Sequence, residues 1–158
     1  MTYKLRSPKW REFFPLTKLM FMAFSNRYKG LSLFSLRFET PFYFIGHMLF
    51  GRKGFIVAEH IPTGKVAGTI CVQILLPRKA SMIYFIAVFP DFRRMGLGSM
   101  LHEEAHRRLR ELGFKKVRLQ VLYENTPALN TALKFGGYIV GDVKMEYDIP
   151  GEDTLRIR

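Results

Sequence analysis

The chain has 158 residues, 48% of them apolar and 24% charged. This is enough apolar material for one domain over residues 1–158 with a sizeable core, and it excludes a disordered chain. The formal charge of +12, from 25 Lys and Arg against 13 Asp and Glu, favours anionic partners. The basic residues are scattered rather than massed and no nucleic-acid-binding module accompanies them, so RNA is not expected as the main partner. No apolar run reaches the roughly 18–20 residues that span a bilayer. The best candidate, Phe42 to Phe50, is short and broken by Gly46 and His47. Lys4, Arg6, Lys9 and Arg11 are not followed by an apolar segment with a small-residue cleavage site, so a cytoplasmic chain is expected. Cys71, the single cysteine, cannot form an internal disulfide and sits in an apolar run, which reads as a buried, inert thiol.

Taken in order, Thr2 to Arg6 predicts a short first strand. Ser7 is a candidate N-cap with Pro8 at the first helical position, and Trp10, Phe13, Phe14, Leu16, Leu19, Met20 and Ala23 predict a helix that tolerates Pro15 in its first turns. Glu39-Thr40-Pro41 opens a second helical segment through about Phe50, ended by Gly51. Most of the 15 phenylalanines lie in this N-terminal third. They suit core packing, an acceptor cleft or a partner surface. Phe55 to His60, Val66 to Leu76 and Ser81 to Phe89 predict three meandering strands, with a turn at Ile61 to Lys65 and a bulge marked by Gly68. Leu101, Ala105, Leu109 and Leu112 form one face of a helix that stops at Gly113. Lys116 to Tyr123 predicts a strand and Thr126 to Phe135 a short helix followed by Gly136-Gly137. Tyr138 to Ile149 predicts one last strand, and Pro150 to Arg158 a tail. The sum is an α+β fold, an α/β sandwich with a mixed, mostly antiparallel sheet of about six strands and helices on both faces.

The most informative stretch is AVFPDFRRMGLGSM, Ala87 to Met100. A strand stops at Pro90, a polar link follows, and Gly96-Leu97-Gly98 leads into a helix. Unsatisfied N–H groups, the positive end of the helix dipole and two arginines make this junction suited to phosphate oxygens. The string is neither a Walker A loop nor a dinucleotide fingerprint: Gly-Lys-Ser/Thr is missing, and the third glycine position holds Leu101.

The pattern V-x-P-x-x-R-x-x-G-x-G, met by Val88, Pro90, Arg93, Gly96 and Gly98, resembles motif A of the GNAT superfamily of acyl-CoA-dependent N-acyltransferases. The order of elements from about Ile56 to Asp148 agrees with that family, and Asn125, Ala128 and Gly136 are spaced like its N-x-x-A…G segment. The likeness is greatest to the N-terminal-peptide acetyltransferases, such as those acting on ribosomal proteins. The resemblance implies an acetyl-CoA-dependent N-acetyltransferase. Arg93, Arg94, Met95, Gly96, Leu97, Gly98 and Ser99 would surround the pyrophosphate of coenzyme A, and Asn125 would touch the pantetheine or order its loop. The backbone of Ile86, Ala87 and Val88 would lie along the pantetheine arm, with the Val88 N–H facing the thioester carbonyl. The acceptor would be an amine on a peptide or small molecule, and a homodimer is compatible with the sequence.

Three positions depart from those relatives. Their leaving-thiolate tyrosine corresponds here to Ala132. Their strand-five glutamate corresponds to Gln120, in Leu119-Gln120-Val121, and a further base position to Met82. An amide cannot take a proton at neutral pH, although it can orient an amine or a water. Tyr123, Tyr138 and Tyr84 are the candidate replacements for the acid, with Tyr138 preferred, and Glu124 is a candidate base; each is equally readable as a packing or strand-end residue. A catalytically weak acyl-CoA-binding module is therefore the alternative to the enzyme. His102 and His106 share i,i+4 spacing but have no cysteine or H-E-x-x-H context, so they read as a solvent-facing pair and no metal is expected.

Overall fold

Alternation along the second strand sets up the two layers of the core. The computed structural model describes residues 2–24, 54–75, 80–121, 125–141 and 144–148. Strand β1 (Tyr3–Arg6) is followed by a 3-10 turn and helix α1 (Phe13–Phe24), then by β2 (Phe55–His60), β3 (Lys65–Leu75) and β4 (Ala80–Val88). Helix α2 (Leu97–Glu111), β5 (Lys116–Gln120), α3 (Thr126–Lys134), β6 (Tyr138–Gly141) and β7 (Lys144–Asp148) complete it. The expected helix at Glu39 to Phe50 and the tail from Pro150 lie outside the described residues.

The sheet has seven strands in the order β1-β2-β3-β4-β5-β7-β6. Every neighbouring pair is antiparallel except β4 and β5, which run parallel. Successive side chains of a strand point to opposite faces. Ile56 and Ala58 of β2 accordingly join Leu97, Leu101, Ala105 and Leu109 of α2 in one buried cluster. Phe55 and Val57 join Leu16 and Met20 of α1, with Cys71 and Phe85, in a second cluster on the other face. The sandwich therefore has helices on both faces, as expected.

Two boundaries differ from the sequence reading. The single strand expected over Tyr138 to Ile149 is two strands, β6 and β7, paired antiparallel from Tyr138↔Glu146 to Gly141↔Lys144. The glycine at 141 ends the first of them, and the register places β7 between β5 and β6. The N-cap is Lys9 rather than Ser7. The Lys9 N–H donates to Glu12 Oε2 at 2.8 Å, and the Glu12 N–H donates to the Lys9 carbonyl at 2.9 Å, the backbone bond of a 3-10 turn, so the helical segment starts two residues later. Gly68 sits beside a register shift, as expected, between Ala58 and Glu59 of the partner strand. A Cβ at Gly68 would lie 3.0 Å from the Ala87 carbonyl oxygen and 3.2 Å from Val88 Cγ2, so this glycine lets β3 approach the end of β4.

Candidate active site

The site is built from the two flanks of β4. On one flank β4 pairs with β3 from Leu75↔Ala80 to Gly68↔Val88, with one extra residue, Tyr84, where the register shifts. On the other flank β4 pairs with β5 only at Met82↔Arg118 and Ile83↔Leu119. Beyond Ile83, β4 runs on to Val88 with no partner on β5 among the described residues. The direction of the peptide groups there follows from one hydrogen bond. The Phe89 N–H donates to the Ala67 carbonyl at 2.9 Å, so it points toward β3. Backbone groups alternate sides along a strand, hence the N–H and C=O of Val88, and likewise of Ile86, point away from β3 to the unpaired flank. The Val88 N–H therefore lies on the unpaired flank.

The loop that follows joins β4 to the start of α2. Pro90–Phe92 form a 3-10 turn. Arg94 has φ of 61° and is the one non-glycine residue at positive φ among the described residues. Gly96, at φ 73°, is the N-cap of α2 in the left-handed conformation, where a side chain would cost about 1–2 kcal/mol. The first turn of α2 holds no acidic residue, whereas its last turn holds Arg108 and Arg110. The N-terminal positive end therefore has no carboxylate of its own helix to neutralise it. Leu97 is buried and pins the turn into the core, while Arg93, Arg94 and Met95 are exposed. Gly98 has no atom within 4 Å of where a Cβ would stand, which leaves room above the helix end. Ser99 is half-buried beside it. The Arg93 Nε–H turns back and donates to the Val88 carbonyl at 3.1 Å. Ile86, Ala87, Val88 and Arg93 to Ser99 are therefore brought together at the C-terminal end of β4.

The other expected site residues divide. Asn125 caps α3, its carbonyl accepting from the N–H groups of Ala128 and Leu129 at 3.0 Å each. Ala132 is fully buried in the α2-face cluster. Gln120 ends β5 opposite Lys144. Tyr123 and Glu124 lie outside the described residues. Tyr138 opens β6, the edge strand, with β7 between it and β5. Through Glu146 it lies level with Arg118 and Met82, before the point where β4 and β5 part. Its backbone thus stands about two strand spacings, ~10 Å, from β5.

His102 and His106 are not solvent-facing. Each is 1% exposed, and both rings pack on Phe135 at the end of α3, with centroids 5.4 and 5.1 Å away. Burial lowers the pKa of His102 to about 4, and burial together with His102 and Arg110 lowers that of His106 to about 3. Both are therefore neutral packing groups at pH 7. The expectation failed because the pair lies one step around the helix from Leu101, Ala105 and Leu109, under a layer that only α3 supplies. Cys71 is fully buried, and burial pushes its thiol up, far from reactivity. No group of three or more His, Cys, Asp or Glu able to hold a metal ion occurs among the described residues. No helix among them is long and apolar enough to cross a membrane.

Sequence reasoning missed the lock between the N-terminal segment and the sheet. The Arg6 guanidinium forks onto Glu12, donating from Nη1 at 2.9 Å and from Nη2 at 2.5 Å, and its Nε donates to Glu59. Burial raises the pKa of the Glu12 carboxyl, but Arg6 and the Lys9 N–H outweigh it and hold it below the usual carboxylate range. Tyr3 also reaches the phosphate-type loop, its hydroxyl donating to Met95 Sδ at 3.2 Å. These partners are 6, 53 and 92 residues apart, and Glu12 is the single acidic residue in a run otherwise carrying Lys4, Arg6, Lys9 and Arg11.

A family model for the acetyltransferase (GNAT) family matches residues 16–137. A curated relative, the N-alpha-acetyltransferase of Sulfurisphaera tokodaii, is 28% identical over 164 residues, 96% of this chain and 89% of the relative. Among solved structures, the PaiA N-acetyltransferase of Thermoplasma acidophilum in complex with coenzyme A has a TM-score of 0.78 at 15% identity, over 94% of this chain and 99% of that one. The ribosomal-protein alanine N-acetyltransferase of Escherichia coli has a TM-score of 0.68 at 20% identity, over 96% and 97%. The two structures share the fold described above. With the family model spanning most of the chain and the motif loop lying at the end of a half-unpaired β4, the chain belongs to the GNAT acetyltransferase family.

Proposed function

We propose that the protein transfers an acetyl group from acetyl-CoA to a primary amine by direct attack, with both substrates bound together. The observation that carries this reading is the unpaired flank of β4 running straight into an uncompensated helix N-terminus. The N–H groups of Gly96 to Ser99, with Arg93 and Arg94, bind the pyrophosphate. The unpaired backbone of Ile86 to Val88 holds the pantetheine arm by strand-like hydrogen bonds. The Val88 N–H stabilises the oxyanion that forms when the amine attacks the thioester carbon. Such a donor is worth ~3–4 kcal/mol, and proximity supplies several more.

The chemistry does not depend on the absent side chains. A thiol of pKa near ~8.5 leaves as thiolate without full protonation, and an α-amine of pKa near ~8 is partly neutral at pH 7. Losing general acid–base help costs about 10²–10⁴ in rate. Gln120 orients the amine or a water, and water or Tyr123 serves the thiolate better than Tyr138, whose strand lies on the sheet edge. The curated relative's name supports a protein or peptide α-amine as acceptor, and the exposed Trp10 and Phe14 suit a partly apolar one.

Calorimetric titration with acetyl-CoA and thiol release against N-terminal peptides, lysine peptides, polyamines and aminoglycosides test the proposal. Binding with release dependent on a peptide N-terminus is expected. Absence of binding at millimolar acetyl-CoA in folded protein sinks it. Tight binding with no acceptor-dependent release across the panel supports the second reading, an acyl-CoA-binding module, which the buried Ala132 at the usual acid position favours.

A further inference from the structure

The geometry points to Arg93 as a positioning residue that couples the phosphate loop to the peptide groups at the end of β4; this rests on the acetyltransferase reading above. The peptide plane joining Val88 to Phe89 is held at both ends. Its C=O accepts from Arg93 Nε at 3.1 Å. Its N–H donates to the Ala67 carbonyl at 2.9 Å. Just before it, Ala87 is in register with Thr69 on β3. The Val88 N–H belongs to the neighbouring peptide plane, that of Ala87 and Val88, and the dihedrals of Val88 link it to the plane that Arg93 holds. That N–H lies on the flank with no β5 partner among the described residues, so from the sheet side only β3, through Ala87, orients its plane. Arg93 therefore substitutes for the missing strand on this side.

The guanidinium has five N–H donors in a planar fork. One, on Nε, is committed to Val88. The Nη groups, on an exposed side chain, remain for phosphate oxygens. One residue then touches both ends of the cosubstrate site: its outer edge meets the pyrophosphate while its inner edge sets the donor that faces the thioester. Arg94 makes no such contact with Val88, and its positive φ of 61° turns the chain away just after Arg93. A residue that only bound phosphate would affect affinity. A residue that also sets the donor must affect the chemical step, and must do so in the protein without ligand.

Two readouts test this on Arg93→Lys, which keeps the charge but has no Nε–H, and on Arg93→Met. First, amide hydrogen exchange of Phe89, whose N–H is bonded to the Ala67 carbonyl, should accelerate at least about tenfold in the ligand-free protein in both variants, with Ile70 and Ile83 unchanged. Exchange of Phe89 within about twofold of wild type overturns the strut. This measurement needs no activity, so it separates failure of the strut from failure of the acetyltransferase reading, which shows as a wild type without acetyl transfer. Second, in Arg93→Lys kcat should fall at least about tenfold while KM for acetyl-CoA rises less than about threefold. A rise in KM with kcat unchanged assigns Arg93 to phosphate alone and overturns the proposal.

Discussion

The two flanks of β4 are built from one strand and do opposite things. Toward β3 the pairing runs from Ala80 to Val88; toward β5 it stops at Ile83. The closed flank spends its backbone groups on the sheet, while the strand's side chains, such as Ile83 and Phe85, are buried on its two faces. The open flank keeps N–H and C=O groups that a ligand can meet. A main-chain site of the kind proposed needs little from side chains, so Gln120 and Ala132 at the positions of the relatives' base and acid would not remove it.

Steric tests separate the flanks most sharply. On the open side, a Cβ at Gly98 meets nothing within 4 Å beyond its chain neighbours and its own helix backbone, and Gly98→Val projects into the space proposed for the pyrophosphate. We expect a folded protein by circular dichroism whose affinity for acetyl-CoA, measured by calorimetry, is at least about 100-fold weaker, near 2.7 kcal/mol. Unchanged affinity would move the pyrophosphate elsewhere. On the closed side, Gly68→Val would press on the Ala87 carbonyl at 3.0 Å, Val88 Cγ2 at 3.2 Å and Leu101 Cδ1 at 3.4 Å. Overpacking of this kind costs about 1–3 kcal/mol, read by chemical denaturation. A stability equal to wild type would mean that β3 and β4 are not held together as tightly as their register implies.

Titration gives a further contrast. His102 and His106, buried against Phe135, have pKa values lowered to about 4 and about 3. The unfolded chain, with histidines near ~6.5, takes up protons that the native state refuses. Stability therefore declines as pH falls below about 6.5, on the order of 1–2 kcal/mol per histidine by pH 5. The open flank offers backbone groups instead. Denaturation at pH 7 and pH 5 should show this fall, and the double variant His102→Leu/His106→Leu should flatten it. A slope unchanged in the variant would place the pH dependence in other groups.

What was legible in the sequence follows the same division. The turn from β4 into α2 at Val88, Pro90, Arg93, Gly96 and Gly98 was readable because its residues lie within a few positions of each other. The strand at Phe55 to His60 was readable from its apolar run. The Arg6–Glu12–Glu59 lock, the burial of His102 and His106, and the insertion of β7 between β5 and β6 were not. Each depends on which distant segments become neighbours, and no local pattern records that. Tyr138 shows the limit most plainly: it is the first large side chain after Gly136-Gly137, but the register sets it on the edge strand.

The smallest effect is expected there. Tyr138→Phe removes one hydroxyl from a residue of the edge strand, and kcat should stay within about threefold of wild type with acetyl-CoA affinity unchanged. A loss of ~10²-fold or more would make Tyr138 the general acid and require the edge of the sheet to fold over the site.

The central claim is that the unpaired flank of β4 and the start of α2 receive acetyl-CoA. The most direct measurement is a titration of the isotopically labelled protein with acetyl-CoA, followed through its backbone amide resonances. The account predicts the largest shifts at Ile86, Val88 and Gly96 to Ser99, with Gly68 and Thr69 on the closed flank moving little. Saturable shifts centred elsewhere, or none at millimolar ligand, would contradict it.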